Sequence, residues 1–408
     1  MIGGYNVKRY WKIISLCVLT VLILGFFYIQ SGLAAKEDIK VEFEKVSGNQ
    51  AELEKILFYG DYEIGNIYQS LHFTNQETID INQLSLLQSL NRELSSPYYK
   101  KLVKEYRSFM RGKIFTTNSF YEDEKILAYA ELDYQSAKKS SFDIDVLDKK
   151  SGETTSIKLD LPEKEKYNWA DVSEVQAIDG KLKVFVRGFQ VTGTSEINLY
   201  TFDIDKEKLE ENEVLLSTSE KENNWSDIRM INSYQSSGYE RYILFNIETQ
   251  QVETYEDESS MEMKDNLETA NKELIIYDIE TGKTNKMVTD DEMIGFLDAA
   301  SVYDSTLFIP IQVENRFEIN QYDIEKQVWG KKITFDVPVS KDEASSGPYM
   351  KLMNGKFYLI HAAKNEHTLL IADVATGKVL YEGVLTVKKD GVEQSDYRLY
   401  IHEMETVQ

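Results

Sequence analysis

Read along the chain, apolar and polar positions fall into three regimes. The first is an unbroken uncharged run, Ile13 to Ala35, whose strongly apolar part extends from Ile13 to Ile29. At 1.5 Å per residue its 23 residues predict a helix of roughly 34 Å, enough for a hydrocarbon core of about 30 Å. Tyr10, Trp11 and Tyr28 stand near its ends, where amphipathic rings favour a membrane interface. A second regime at helical spacing follows. Leu84, Leu87, Leu90 and Leu94 recur on one face, then Ser96 and Pro97 supply an N-cap and a first-turn proline. Tyr99, Leu102, Val103, Tyr106, Phe109 and Met110 continue as an apolar stripe, so a helical insertion is expected over residues 80–112.

The third regime fills the rest of the chain. Short apolar, β-rich runs recur at Lys125–Leu132, Lys181–Val186, Tyr242–Ile247, Leu307–Val313 and Lys356–His361, with shorter runs such as Glu174–Ile178 and Tyr349–Met353 ahead of them. Each long run is followed by a strand ending in aspartate and a tight polar turn. Asp148, Asp278 and Asp373 each precede a glycine by four positions, and Asp203 and Asp323 mark two degenerate copies. Aspartate accepts backbone hydrogen bonds within a turn, and glycine supplies the positive φ from which a return strand starts. The aspartates are 55, 75, 45 and 50 residues apart, a period that indicates propeller blades. The 75-residue interval holds an acidic insertion, Glu253–Glu268, expected between the second and third strands of its blade.

Strand, strand, strand, turn, strand is the content of one blade. Five blades are legible, and a sixth is expected from the C-terminal strand Asp396–Glu403 joined to the early runs Lys40–Val46 and Lys55–Tyr62, which would remove open sheet edges. The expected fold is therefore all-β: a β-propeller of six blades, with seven as the alternative, carrying a helical insertion and one N-terminal transmembrane helix. The copy at Leu369–Leu385, with Asp373 and Thr376-Gly377-Lys378, resembles the repeat of the quinoprotein-type (PQQ-like) β-propellers. Two of the five copies carry the full Thr-Gly-Lys, and Tyr381 stands where those repeats place tryptophan, with Trp329 the nearest equivalent elsewhere. The resemblance implies a fold and hardly any chemistry.

Charge adds an address. No Asp or Glu precedes Glu37, whereas Lys8, Arg9 and Lys12 do, which predicts a cytoplasmic N-terminus (1–12), an anchor in the lipid bilayer (13–35) and an extracytoplasmic domain (36–408). The competing reading is a signal peptide cleaved near Ala34 or Ala35, which leaves the domain outside the cytoplasm all the same. The chain's net charge of -23 becomes three units more negative once those bases are set aside, so nucleic acid is excluded as an expected partner. Cys17, the only cysteine, lies in the apolar run, so the remainder has no disulfide, thiolate metal site or catalytic thiol.

The sequence singles out no catalytic, cofactor-binding or metal-ligating residue. His72, His361, His367 and His402 form no pair with zinc spacing. Thr281-Gly282-Lys283-Thr284 has Tyr277 where a phosphate-binding loop needs glycine, and no Gly-x-Ser-x-Gly is present. Asp143, Asp145 and Asp148, and likewise Asp203, Asp205 and Glu207, lack the glycine and glutamate of a calcium loop. Lys100, Lys101, Lys104, Arg107 and Arg111 make the second insertion helix basic, either to dock on anionic lipid or to neutralise the domain's own acidic surface. The expected function is a non-enzymatic interaction platform or sensor accessory whose partner is another envelope protein. The alternatives are a propeller enzyme (a quinone-dependent dehydrogenase or a hydrolase) and a binder of small ligands or wall polymer.

Overall fold

The computed structural model describes residues 11–33, 39–65, 67–84, 97–114, 116–134, 140–218, 224–231, 238–252, 267–289, 291–314, 316–337, 348–363, 366–389 and 397–406. The N-terminal run forms one helix, α1 (Trp11–Leu33). Among the described residues no helix is long and apolar enough to cross a membrane, and the side chains of α1 are described only as far as Leu22. The span expected over 13–35 is thus not identified as a membrane-crossing helix among the described residues.

The rest is built of six antiparallel sheets. After β1 (Lys40–Gly48), sheet I contains β2 (Ile56–Ile64), β3 (Ile67–Phe73) and β4 (Thr78–Asp80). Sheet II is β5 (Phe120–Glu122), β6 (Ile126–Tyr134), β7 (Ser140–Asp148) and β8 (Thr154–Asp160). Sheet III is β9 (Tyr167–Ile178), β10 (Lys181–Gln190), β11 (Ser195–Asp203) and β12 (Lys208–Ser217). Sheet IV is β13 (Asn224–Ile231), β14 (Tyr242–Val252), β15 (Leu267–Asp278) and β16 (Lys283–Lys286). Sheet V has β17 (Ser301–Tyr303), β18 (Thr306–Val313), β19 (Arg316–Asp323), β20 (Val328–Trp329) and β21 (Ile333–Asp336). Sheet VI has β22 (Tyr349–Met353), β23 (Lys356–Ala363), β24 (Glu366–Asp373) and β25 (Val379–Lys388), and β26 (Arg398–Thr406) ends the chain.

The termini close the array as expected in one respect and differently in another. Strand β26 pairs with β2, Ile56 opposite Thr406, and completes sheet I. Strand β1 does not join it. It pairs with β25, Lys40 opposite Lys388, as a fifth strand on sheet VI. Two neighbouring sheets thus each borrow a strand from the opposite end of the chain. The reason lies in burial: Ile39 and Val41 enter the core that sheets VI and I share, while Glu42 pairs with Lys388 at 2.5 Å.

Successive sheets pack face to face. Sheets II and III share one apolar core, III and IV a second, IV and V a third, V and VI a fourth, and VI and I a fifth. Middle strands are consequently buried on both faces, which is why they read as continuous apolar runs. In β15, Leu274 and Ile276 face sheet V while Ile275 and Tyr277 face sheet III. Last strands such as β12 are largely exposed. Consecutive four-stranded meanders stacked through shared cores are the organisation of a β-propeller.

The second helix of the insertion is shorter than the periodicity predicts. The helix expected over Leu84–Leu94 falls largely outside the described residues, as does the acidic insertion Glu253–Glu268, which the flanking β14 and β15 place between the second and third strands of sheet IV. The second helix is α2 (Pro97–Glu105) and stops before Phe109. Its Tyr99 and Leu102, with Phe109 and Met110 beyond its end, bury against Phe120, Leu127, Tyr129 and Leu147 of sheet II. Lys101 of α2 approaches Glu122 at 3.5 Å, and Lys113 ion-pairs with Asp145. At least part of the basic charge here meets the domain's own acids.

Candidate functional site: the turn face and the channel mouth

All five repeated aspartates are turn-formers. The carboxylate of Asp148 accepts from the amides of Lys150 and Ser151, Asp203 from Lys206, Asp278 from Glu280 and Thr281, Asp323 from Lys326, and Asp373 from Thr376. Gly152, Gly282 and Gly377 donate back to the aspartate carbonyls at 2.8 Å with φ of 75°, 68° and 72°. In the degenerate copies Glu207 (φ 53°) and Gln327 (φ 56°) take the left-handed position, a strain that other residues avoid and glycine does not.

Each of these turns is tied to the hairpin joining the first two strands of its sheet. The amide after the aspartate donates to that hairpin: Ile204 to Gly180, Ile279 to Arg241, Ile324 to Ser305 and Val374 to Gly355, with Lys149 to Lys125 in sheet II. A cation beside the hairpin then engages the aspartate in two sheets, as Lys181 with Asp203 at 2.5 Å and Arg241 with Asp278 at 3.0 Å. Lys181 and Lys206 hold the Asp203 carboxyl well below the usual carboxylate range. For Asp278 burial opposes ionisation, but Arg241 and two amides outweigh it and lower the pKa. Arg241 also reaches Glu325 of sheet V at 3.0 Å. In the first carboxylate cluster of the sequence, Asp143 faces Lys158, Asp145 faces Lys113 and Ser156, and Asp148 serves its turn.

This turn face surrounds a cavity of ≈ 490 Å³ between sheets IV, V and VI. Its wall carries Tyr239, Glu240, Arg241, Tyr303, Asp304 and Asn354 among others. Ile231 and Leu352 line both it and a second cavity of ≈ 380 Å³, where Arg229, Asp298, Lys351, His402 and Glu403 meet. The first strands β13, β22 and β26 therefore border two adjoining cavities that meet at Ile231 and Leu352. In the smaller one Lys351 donates to the Met404 carbonyl at 2.7 Å, and burial pulls its pKa down.

Between sheets III and IV stands a buried ion network. Asp227 is 3 % exposed and meets Arg187 through both oxygens, at 2.6 and 2.7 Å. Arg229 at 3.1 Å, the Ser195 hydroxyl at 3.2 Å and the Ile228 amide at 2.9 Å complete its shell. The Arg187 guanidinium lies 5.0 Å above the Trp169 ring, close enough for a cation–π contact.

Nearby, Glu174 differs from its peers. Glu196, Asp203, Asp227, Asp278 and Glu318 are buried acids that each have a Lys or Arg partner. Glu174, 2 % exposed on β9, has instead the Gln176 amide at 2.9 Å, and the nearby charge acting on it is Glu240. Burial, reinforced by Glu240, pushes its pKa well above the carboxylate range, and burial raises Glu240 to about 7. Neither group was legible as a site. The available signal was Glu174 and Gln176 sitting two apart, hence on one face, in the otherwise apolar run Glu174–Ile178. Of the four histidines, His361 is buried beside Phe317 in sheet VI, His367 is held below its usual pKa by burial, His72 packs edge-on to Tyr59, and His402 lies 3.5 Å from Asp61. Among the described residues no group of three His, Cys, Asp or Glu is placed to hold a metal ion.

Comparison with known proteins adds likeness of shape only. The chain matches no protein-family profile and no curated sequence. Among solved structures it is similar to TolB from Acinetobacter baumannii, at 11 % identity over 87 % of this chain and 67 % of that one, with a TM-score of 0.32. Citrobacter koseri AztD gives 11 % identity over 71 % and 73 %, with a TM-score of 0.30. The β-propeller domain of the trilobed protease from Pyrococcus furiosus, described as having an open velcro topology, gives 11 % over 90 % and 98 %, at 0.28. Likeness this low assigns no family and no activity.

Proposed function

We propose that the chain is a membrane-tethered, extracytoplasmic β-propeller of six blades that acts as a non-enzymatic binding platform or sensor accessory at the cell envelope. The observation that carries the reading is helix α1. Over its described side chains, Trp11, Ile13, Ile14, Leu16, Val18, Leu19, Val21 and Leu22 are 49–68 % exposed, so no other described residue covers them. Leaving side chains of this size in water forgoes about 1.5–3 kcal/mol each, a cost removed by lipid. The flanking Lys8, Arg9 and Lys12 favour a cytoplasmic N-terminus, which leaves the propeller outside. Tyrosine, arginine and asparagine at the mouth of the larger cavity suit a partner-binding surface, in which aromatic and arginine side chains supply most of the energy.

The test is site-specific photocrosslinking in membranes from probes at Tyr239 and Tyr303. A discrete crosslinked envelope protein, lost when the probe is moved to exposed Val214 on sheet III, is the expected result; identical products from both positions would refute a specific mouth surface. The two adjoining cavities favour a second reading, recognition of a small ligand within them. A thermal-shift screen with sugars, peptides and divalent cations checks it, and no shift with any of them would remove it. The quinoprotein-type resemblance rests on the hairpin alone, and nothing at the cavities speaks for that cofactor.

A further inference from the structure

The stretch Gly238–Arg241, which leads into β14 and lines the mouth of the larger cavity, is fastened to sheet III by one side chain. Gln176 on β9 accepts from the Glu240 amide at 3.0 Å, and its own amide donates to the Gly238 carbonyl at 3.2 Å and to Glu174 at 2.9 Å. The neutral amide is thus the clip, joining the Glu174 carboxyl to the backbone of Glu240. Lys183, opposite Gln176 on β10, is the cation on this face, and among the described residues no ion pair reaches Glu174 or Glu240. Arg241 is committed to Asp278, Glu280 and Glu325, and Lys356 across the cavity is committed to Glu52. The other titratable groups on that wall, Tyr239, Tyr242, Tyr303 and Asp304, bring no positive charge. On β9, Asp171 lies further along the strand and faces Arg187.

We infer that the Glu174–Gln176–Glu240 cluster is a proton-dependent clip, which holds the mouth segment on sheet III while the carboxyl pair carries at least one proton and loosens when both are ionised. Two carboxylates that share a site cannot both ionise without repulsion, and here the site is also desolvated. The upward shifts of both groups point the same way. Glu240, raised by burial to about 7, ionises around that pH, so loosening is expected near and above neutral pH. An envelope protein would then present a firmer mouth in acid surroundings than in alkaline ones. This inference holds whether or not the mouth takes a partner.

The experiment is hydrogen exchange of the full chain in detergent between pH 5 and pH 8, reading the peptide that contains the Glu240 amide after correction for intrinsic rates. Protection is expected to fall by about tenfold over that range, the change that one pK unit of coupling gives. Glu240→Gln is expected to keep the low-pH protection throughout. Glu174→Gln, examined in parallel, should flatten the profile in the same way and keeps the test open if either variant folds poorly. Wild-type protection that does not change with pH would overturn the clip, and so would a Glu240→Gln profile identical to wild type.

Discussion

Replacing Asp227 with alanine should be the most damaging single change at the contact between sheets III and IV. The carboxylate is 3 % exposed and binds Arg187 through both oxygens, Arg229, Ser195 and the Ile228 amide. Its removal strands the Arg187 guanidinium, whose side chain is 26 % exposed, against Trp169. Breaking a buried pair from one side costs about 3–5 kcal/mol, and the residual exposure of Arg187 places this one near 3 kcal/mol. For a domain of this size that corresponds to a fall in Tm of roughly 4 °C. Asp227→Asn keeps an acceptor for Ser195 and Ile228 and loses the charge, so about half of the effect is expected. Asp143→Ala, which removes only the exposed pair with Lys158, is the control, with a change within about 0.5 kcal/mol. Urea unfolding followed by tryptophan emission and by far-UV circular dichroism measures all three. Arg187→Met in the Asp227→Ala background should recover part of the loss, because the stranded charge is then gone. A loss below about 1 kcal/mol for Asp227→Ala, or no recovery from Arg187→Met, would refute the assignment of this network as the tie between the sheets.

Other outcomes follow from the turns, the termini and the acid pair. Gly377→Ala should destabilise more than Gly282→Ala, as judged by urea midpoints. Both glycines need positive φ, but a methyl at position 377 would meet Ile333 Cγ2 at 2.7 Å while at 282 it would meet open space; about 1–2 kcal/mol is expected at 282 and more at 377. Deleting residues 398–408 should lower Tm more than deleting 40–48, since β26 supplies buried Leu399 and Met404 and the first strand of sheet I, whereas β1 is an outer strand that buries Val41 alone, with Phe43 partly covered. The pH dependence of stability has a definite sign at Glu240. Its folded pKa, about 7, is above its ordinary value of 4.5, so the folded state binds more protons between those values and stability declines as pH rises through that window. The decline is on the order of 3 kcal/mol for this group and levels off above about pH 7. Glu240→Gln should flatten it in pH-dependent denaturant titrations.

The strands and turns were legible for a physical reason. Middle strands buried on both faces cannot alternate, so Leu274-Ile275-Ile276-Tyr277 and Leu369-Leu370-Ile371-Ala372 stand out as apolar runs, and the aspartate that caps each turn follows immediately. The pairing of β26 with β2 was legible because open edges invite association. The destination of β1 was not, because Lys40–Val46 has the same content as any edge strand, and only the core shared by sheets VI and I selects β25. Helix α2 stops at Glu105 although the apolar stripe continues, since Phe109 and Met110 reach the same core from turns. The buried polar groups between sheets III and IV were illegible for a different reason. Arg187 and Asp227 are 40 residues apart, and Glu174 and Glu240 are on different sheets, so no local pattern joins them.

The most direct test of the central claim, a propeller tethered outside the cytoplasm by its N-terminal helix, uses the chain's single cysteine, Cys17. In a Cys17→Ser background, a cysteine introduced at exposed Lys150 on the turn face should react with a membrane-impermeant maleimide in intact cells, while the protein stays with the membranes through alkaline carbonate washing. Labelling only after permeabilisation, or release of the protein by the wash, would contradict the account.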